Sequence, residues 1–296
     1  MNRTRPRRLS DPLVIIGAVS VVVMALGIVL WSIGPSSGDK YTDIGSSLAV
    51  GAGIGLALLA VEQLVTMRIE GAQDKAAEER RFLQSLLDTP DLAGLRLRGR
   101  VLSGLVFSFR DLHESDLTGV VLDRSDFRGA NLTNTSLDGA RMGDVNFTNT
   151  VVVGARATGI SARESAFDGA NFSDTDLSSS TLVACSMEGA VFYRADVTGT
   201  DFSKSNLRRA GLGAVTAVKA IFDDSDLRAS KAIAANFSGA SLRSADLRGA
   251  DLSDAKFTGA DLRDADLRDC VVRGTIFTDA RSNDGTRWPT AIPPTN

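Results

Sequence analysis

Histidine occurs once in these 296 residues, at His113, and cysteine twice, at Cys185 and Cys270. A histidine-based catalytic triad or a mixed Cys/His metal site needs more members than that, so neither a catalytic residue nor a metal ligand is assigned. No G-x-x-x-x-G-K-[ST] phosphate loop is present. The glycines of Gly51-Ala52-Gly53-Ile54-Gly55 sit inside an apolar run and suit helix packing, so no cofactor is expected. Charge of one sign is also missing. The chain carries a net −3, and from Pro90 onward 27 acidic residues face 24 basic ones. That balance is a solvated surface, and direct nucleic-acid binding is not expected from it.

What the chain does have is a register. From Leu92 to Phe277 every fifth residue is apolar, across 38 positions without a break. Only Ala157, Ala162, Ala217 and Ala232 fall below valine in size. Two residues before most of the apolar positions stands a small one, as at Ala240, Ala245, Ala250, Ala255, Ala260 and Ala265, often with Asp or Asn between; Ala245-Asp246-Leu247-Arg248-Gly249 is a clean copy. A helix buries a face every 3.6 residues and a strand every 2, so a period of five fits neither. One such unit cannot bury its own apolar side chain, and units must stack around a shared interior.

Phenylalanine gives the number of units per turn. Phe107, Phe127, Phe147 and Phe167 are 20 residues apart, as are Phe237, Phe257 and Phe277, and the pairs Phe172/Phe192 and Phe202/Phe222. Four units per coil stack these rings in columns on the sides of a square prism. With a rise of about 4.8 Å per coil, the repeats make a rod on the order of 45 Å long. Departures from the pattern compensate one another. Ile160 fills the small site between Ala157 and Ala162, and Val215 does so beside Ala217. Ala232 has only Ser230 beside it, which predicts a looser layer there. Cys185 and Cys270 occupy small inward sites roughly 20 Å apart, too far for a disulfide.

Written out over some 190 residues, the A(D/N)LXX signature resembles that of pentapeptide-repeat proteins. The resemblance implies an all-β solenoid, a right-handed quadrilateral β-helix with the central Leu or Phe and the preceding small residue inward. The Thr-x-Trp-Pro run at Thr286–Pro289 also resembles how many members of that family finish. Trp288 is expected to fold over the last coil.

Ahead of the repeats lies a different kind of sequence. Residues 1–12 form a basic segment with Arg3, Arg5, Arg7 and Arg8. Leu13–Ile33 is uncharged and long enough to cross a bilayer core of about 30 Å as a helix. A short loop, 34–43, leads to a second span, Ile44–Val65, uncharged to Val61. Basic residues flank the hairpin at both ends, which orients both termini and the repeats to the cytoplasm. Ser47, Gly51 and Gly55 form a small-xxx-small face that packs against the first span or mediates a homodimer; the sequence leaves both open. Residues 66–89 read as a helical stalk whose last turns, Phe82 to Leu87, cover the first coil. The repeat β-helix then takes 90–281, and 282–296 form a C-terminal cap and tail.

Two sets of outward residues stand out on the expected prism. Arg208, Arg228, Arg248 and Arg268 recur once per coil, with Asp226, Asp246 and Asp266 two residues before three of them, as in a self-compensating charge ladder. Val151, Val153, Val191, Tyr193 and Ile233 share another face, with Gly211 and Gly213 among them, and suit docking of a protein partner. The expectation is therefore a non-enzymatic, membrane-anchored cytosolic scaffold for protein–protein interaction. The alternative is a DNA-mimicking inhibitor or protector of a type II topoisomerase, as some similar soluble repeat proteins are.

Overall fold

The computed structural model describes Ala25 and residues 40–89 and 91–290. The basic N-terminus, the first expected span except Ala25, most of the loop after it and the final tail residues lie outside the described residues. The chain divides into two compact units, Met1–Ser85 and Leu86–Asn296.

In the first unit a helix, α1, begins at Lys40 and continues to Asp88, inside the second unit. It therefore takes up the last residues of the expected loop, the second expected span and the stalk in one piece. Leu and Ala are its commonest residues, and it stops just before Pro90, which disfavours a helical residue ahead of it. Thr66 returns its hydroxyl to the Glu62 carbonyl at 2.8 Å, and Val61, Leu64, Val65, Met67 and Ile69 are exposed. Among the described residues no helix is long and apolar enough to cross a membrane.

The second unit is the solenoid. Parallel bridges join each residue before a central apolar position to its counterpart 20 residues on, from Arg96↔Asp116 through Asp261↔Arg281. The four-unit coil is thus a register of hydrogen bonds as well as of side chains. Within each five, the N–H of the central residue donates to the coil above, as Leu97 N does to Asp116 O at 2.8 Å. The N–H two residues later does the same, as in Gly99 to Thr118 O at 2.9 Å, while that of the bridge residue reaches back, as in Asp116 to Leu95 O at 2.8 Å. The turn closes on itself where Arg100 N meets Leu97 O at 3.0 Å.

In each unit the N–H of the residue after the central one has no backbone partner. Here the Asp or Asn of the signature acts. Its side-chain oxygen takes this N–H as an Asx turn, at 3.0 Å from Thr118 to Asp116, 3.0 Å from Ser173 to Asn171 and 3.2 Å from Arg248 to Asp246. Where an Asp follows the central residue instead, it serves the next coil, as Asp123 Oδ1 does for Gly143 N at 2.9 Å. The preference for Asp or Asn at that place is thus a backbone requirement.

Every turn also carries one left-handed residue, two after the central position, from Gly94 to Asp279. Glycine fills fewer than half of these places. Arg124, Lys204 and Phe109 adopt φ of 62°, 60° and 59° there, at a cost that the surrounding ladder of hydrogen bonds overrides.

Both inward rows are buried. Leu132, Leu207 and Leu247 are representative of the central row and Ala130, Ala210 and Ala245 of the small one. Ile160 and Val215 point inward beside buried Ala162 and Ala217, so the lost volume is indeed made up by the neighbouring site. Eleven phenylalanines and Trp288 form one chain of ring contacts through the interior. Within a column the rings stack, at 4.8 Å for Phe107 and Phe127 and 5.0 Å for Phe202 and Phe222, except that Phe147 and Phe167 are tilted. Where the chain of rings changes column it turns edge-on, as at Phe167/Phe172 and Phe192/Phe202.

Serine and threonine at the small site mostly find a partner 23 residues back, the carbonyl of a central residue one coil below, although Ser225 donates to Phe222 O in its own unit. Thr175 donates to Val152 O at 2.6 Å and Thr200 to Leu177 O at 2.7 Å. Ser230 does not: its hydroxyl is buried with no hydrogen-bond partner. This is the layer of Ala232, where the sequence leaves too little volume. Ser230→Ala is expected to stabilise the full chain by about 1 kcal/mol, whereas Thr200→Ala costs about as much. Paired thermal melts check the opposite signs.

Both ends depart from the repeat. In the first coil the small site holds Leu95, Arg100, Leu105 and Arg110, and Arg110 donates to the carbonyls of Leu86 and Thr89, with Leu86 itself buried. At the far end one extra residue in the Ser282–Gly285 loop lengthens the last bridge to Asp266↔Arg287. Thr286 still donates to Leu262 O at 2.9 Å, Pro289 is buried, and the Trp288 ring meets Phe277 edge-on at 5.2 Å.

Candidate interaction faces

The arginine column forms a zigzag of charge. Each carboxylate binds the arginine two residues on, in its own coil: Arg228 Nε to Asp226 at 2.8 Å, Arg248 Nη2 to Asp246 at 2.6 Å, Arg268 Nη2 to Asp266 at 2.6 Å. Each is also approached by the arginine below, Arg228 Nε at 3.5 Å from Asp246 and Arg248 Nε at 3.8 Å from Asp266. Arg287 adds a last contact to Asp266 at 3.7 Å. The lowest rung is looser. Arg208 has Asn206 in its own coil where the others have Asp, its Nε stays 4.0 Å from Asp226, and that nitrogen is buried without a hydrogen bond.

The same motif appears outside the column, where Arg128 grips Asp126 and Arg263 grips Asp261. Side-chain hydrogen bonds from Arg128, Arg263 and Arg268 hold the carboxyls of Asp126, Asp261 and Asp266 below the ordinary range, against a burial effect of opposite sign. A carboxyl whose pKa is lower when folded stabilises the fold above its unfolded value and loses that contribution as pH falls. The melting temperature of the full chain should therefore fall steadily below about pH 4. A pH series of melts reads this directly.

The apolar face divides into two pieces. Val191, Tyr193 and Ile233 surround the bare backbone of Gly211 and Gly213 on three successive coils. Val151 and Val153 stand apart, because Asn171 and Ser173 occupy the coil between. Tyr193 is the rigid member. Its ring leans on Gly213, where a Cβ would lie 3.4 Å from Cδ2, and the Arg194 guanidinium sits 5.1 Å from the ring centre. Asp174 in turn fixes Arg194 through two hydrogen bonds of 2.7 and 2.8 Å. Half of Tyr193 remains exposed, at 49%. An amphipathic ring held in one orientation is what an interface anchor requires.

A second exposed apolar group escapes a sequence reading based on columns. Val101, Val106 and Phe109 lie on the first coil, and Phe109 is 83% exposed with its ring over Gly129. The available signal was a bulky residue at the left-handed place of the turn, where an aromatic is an outlier.

The remaining chemistry-bearing residues are occupied. His113 Nδ1 lies 2.9 Å from Asp111, which raises the histidine pKa and lowers its own. Cys185 and Cys270 are buried and unpaired; burial pushes their thiols up to about 11 and about 12, and Cys270 donates to Leu247 O at 3.0 Å in the manner of a serine. Among the described residues no group of His, Cys, Asp or Glu could hold a metal ion.

Comparison with known proteins bears on the repeats alone. A family profile described as "Pentapeptide repeats" matches in overlapping copies over residues 111–209 and 220–281, more than half of the chain. No curated protein matches. Among solved structures the chain is similar to HetL, a pentapeptide repeat protein involved in heterocyst differentiation regulation in the cyanobacterium Nostoc sp. strain PCC 7120. The two are 26% identical over 66% of this chain and 90% of that one, with a TM-score of 0.33. It is similar also to QnrB1, a plasmid-mediated fluoroquinolone resistance protein, at 19% identity over 66% of this chain and 89% of that one, TM-score 0.33. A third likeness is to a thylakoid-lumen pentapeptide repeat protein of Arabidopsis thaliana, 25% identical over 40% of this chain and 69% of that one, TM-score 0.23. With the profile match, the 20-residue bridge register and the inward Leu/Phe and Ala rows all on the same residues, this chain belongs to the pentapeptide-repeat family.

Proposed function

We propose that the protein is a non-enzymatic docking rod, tethered to the cell membrane with its repeats in the cytoplasm, that binds a protein partner through the face of Val191, Tyr193 and Ile233. The observation that carries the docking reading is the exposed Tyr193 ring, fixed between Gly213 and the Asp174-bound Arg194. A preorganised ring loses little freedom on binding, so contact area converts to affinity with a small entropic offset. Support for the tether is in the sequence: the uncharged stretch 13–33, the uncharged stretch 44–61, and basic residues on both flanks. A DNA mimic needs rows of unpaired carboxylate along the rod. The pairing of Asp226, Asp246 and Asp266 with arginine favours docking over that alternative. The docking face is tested with full chain purified from solubilised membranes. Tyr193→Asp combined with Ile233→Asp is expected to leave the melting temperature within a few degrees of wild type and to lower recovery of the cross-linked partner at least about tenfold. Unchanged recovery would remove this face from consideration.

A further inference from the structure

Two corners round the prism from Tyr193, one outward place has no side chain. Gly143 follows Met142, with Asp123 one coil below and Arg163 one coil above. The gap is an open notch of about 370 Å³ whose walls include Arg124, Arg141, Asp144, Ser161 and Arg163. Asp123 is already engaged, accepting from Gly143 N at 2.9 Å and from Arg141 Nη2 at 3.0 Å, so that pair is neutral and holds Arg141 in place. Among the described residues Arg124 and Arg163 are in no ion pair, and both are exposed. Among the lining residues, the single charge of Asp144 leaves one positive charge uncompensated, with Glu164 flanking the notch outside its lining.

The directions matter as much as the sum. Arg163 comes from the coil above, Arg141 from the strand side and Arg124 from the corner below, around a floor of glycine backbone. Arg124, Arg163 and Ser161 thus line the notch from different coils, and guanidinium forks match phosphoryl oxygens well. We propose that this notch binds a singly charged phosphoryl group, with Arg163 and Arg124 as the charged donors, Ser161 as a hydroxyl donor and Gly143 leaving the room. It stands on a face that the docking reading does not use, so either can fail without the other.

The probe is inorganic phosphate in a mildly acidic, phosphate-free buffer, titrated against the full chain in uncharged detergent and followed by phosphorus NMR. Saturable binding is expected, weakened at least about tenfold by Arg163→Gln and by Gly143→Leu. Gly143 is outside the left-handed region and a Cβ there meets only the Asp123 carboxylate, with Oδ1 nearest at 3.4 Å, so leucine fills the notch without straining the backbone. Circular dichroism and melts of both variants should match wild type. Adding phosphatidylglycerol or phosphatidylcholine nanodiscs separates the sources. Displacement of phosphate by phosphatidylglycerol alone identifies a lipid headgroup, and no displacement identifies a soluble phosphate ester. Absence of saturation in the wild type, or equal affinity in Gly143→Leu, overturns the proposal.

Discussion

Leu247→Asp should unfold the coils around it. Leu247 is 1% exposed, sits between Leu227 and Leu267 in its column, and shares its layer with Ala245 and Ala250. An aspartate there meets apolar side chains alone; the nearest backbone donors already serve the coils above and below. Burying an unpaired carboxylate, or protonating it to avoid doing so, costs several kcal/mol, and about 2–5 kcal/mol of lost leucine packing adds to it. In a solenoid each coil rests on its neighbours, so the damage spreads along the axis until coil–coil contacts outweigh it. The expected result is loss of the cooperative melt together with protease cleavage within a coil or two of residue 247. Leu132→Asp, on a 0% exposed residue nearer the N-terminus, should move the cleavage sites with it. A cooperative wild-type melt in either variant would deny that these side chains fill the interior.

Much of this architecture was legible because a coil leaves no freedom in its period. Once Phe107 and Phe127 stand 20 residues apart, the bridge register and the inward rows follow from spacing and volume. The charge ladder was legible for the same reason, since residues 20 apart are neighbours. Its weak rung at Arg208 could have been read from Asn206. The interruption of the apolar face by Asn171 and Ser173 could likewise have been read from the register. Backbone conformation was less accessible. Asn134 and the glycines at the corner positions announce a left-handed residue, but Lys204 and Phe109 take the same φ because the ladder on both sides enforces it. Local preference then says nothing, and the exposed Phe109 ring has no periodic signature. The first coil was obscured in another way. Leu95 and Arg110 occupy small sites there, a departure that makes sense only at an end with no coil beneath it.

Phe147→Ala tests the ring chain at its middle. Phe147 is 1% exposed, stacks on Phe127 at 4.9 Å and tilts against Phe167 at 5.5 Å. Removing it leaves a ring-sized void whose walls are set by the 20-residue register and cannot close in, since each coil is held to the next by several backbone hydrogen bonds. That places the loss toward the upper part of the usual range, about 3–5 kcal/mol, read as a drop in the denaturant midpoint. Phe147→Leu keeps most of the volume, as the chain itself does wherever leucine holds the central place, and should cost less than about 1.5 kcal/mol. Position along the axis supplies the control. Phe277 is only half-buried and has Trp288 as its outer neighbour, so Phe277→Ala opens a site that solvent and the indole can refill. Its cost should be clearly smaller than that of Phe147→Ala. Equal losses at the two positions would mean that the rings contribute by transfer from water alone, with no term for a void held open by the coils.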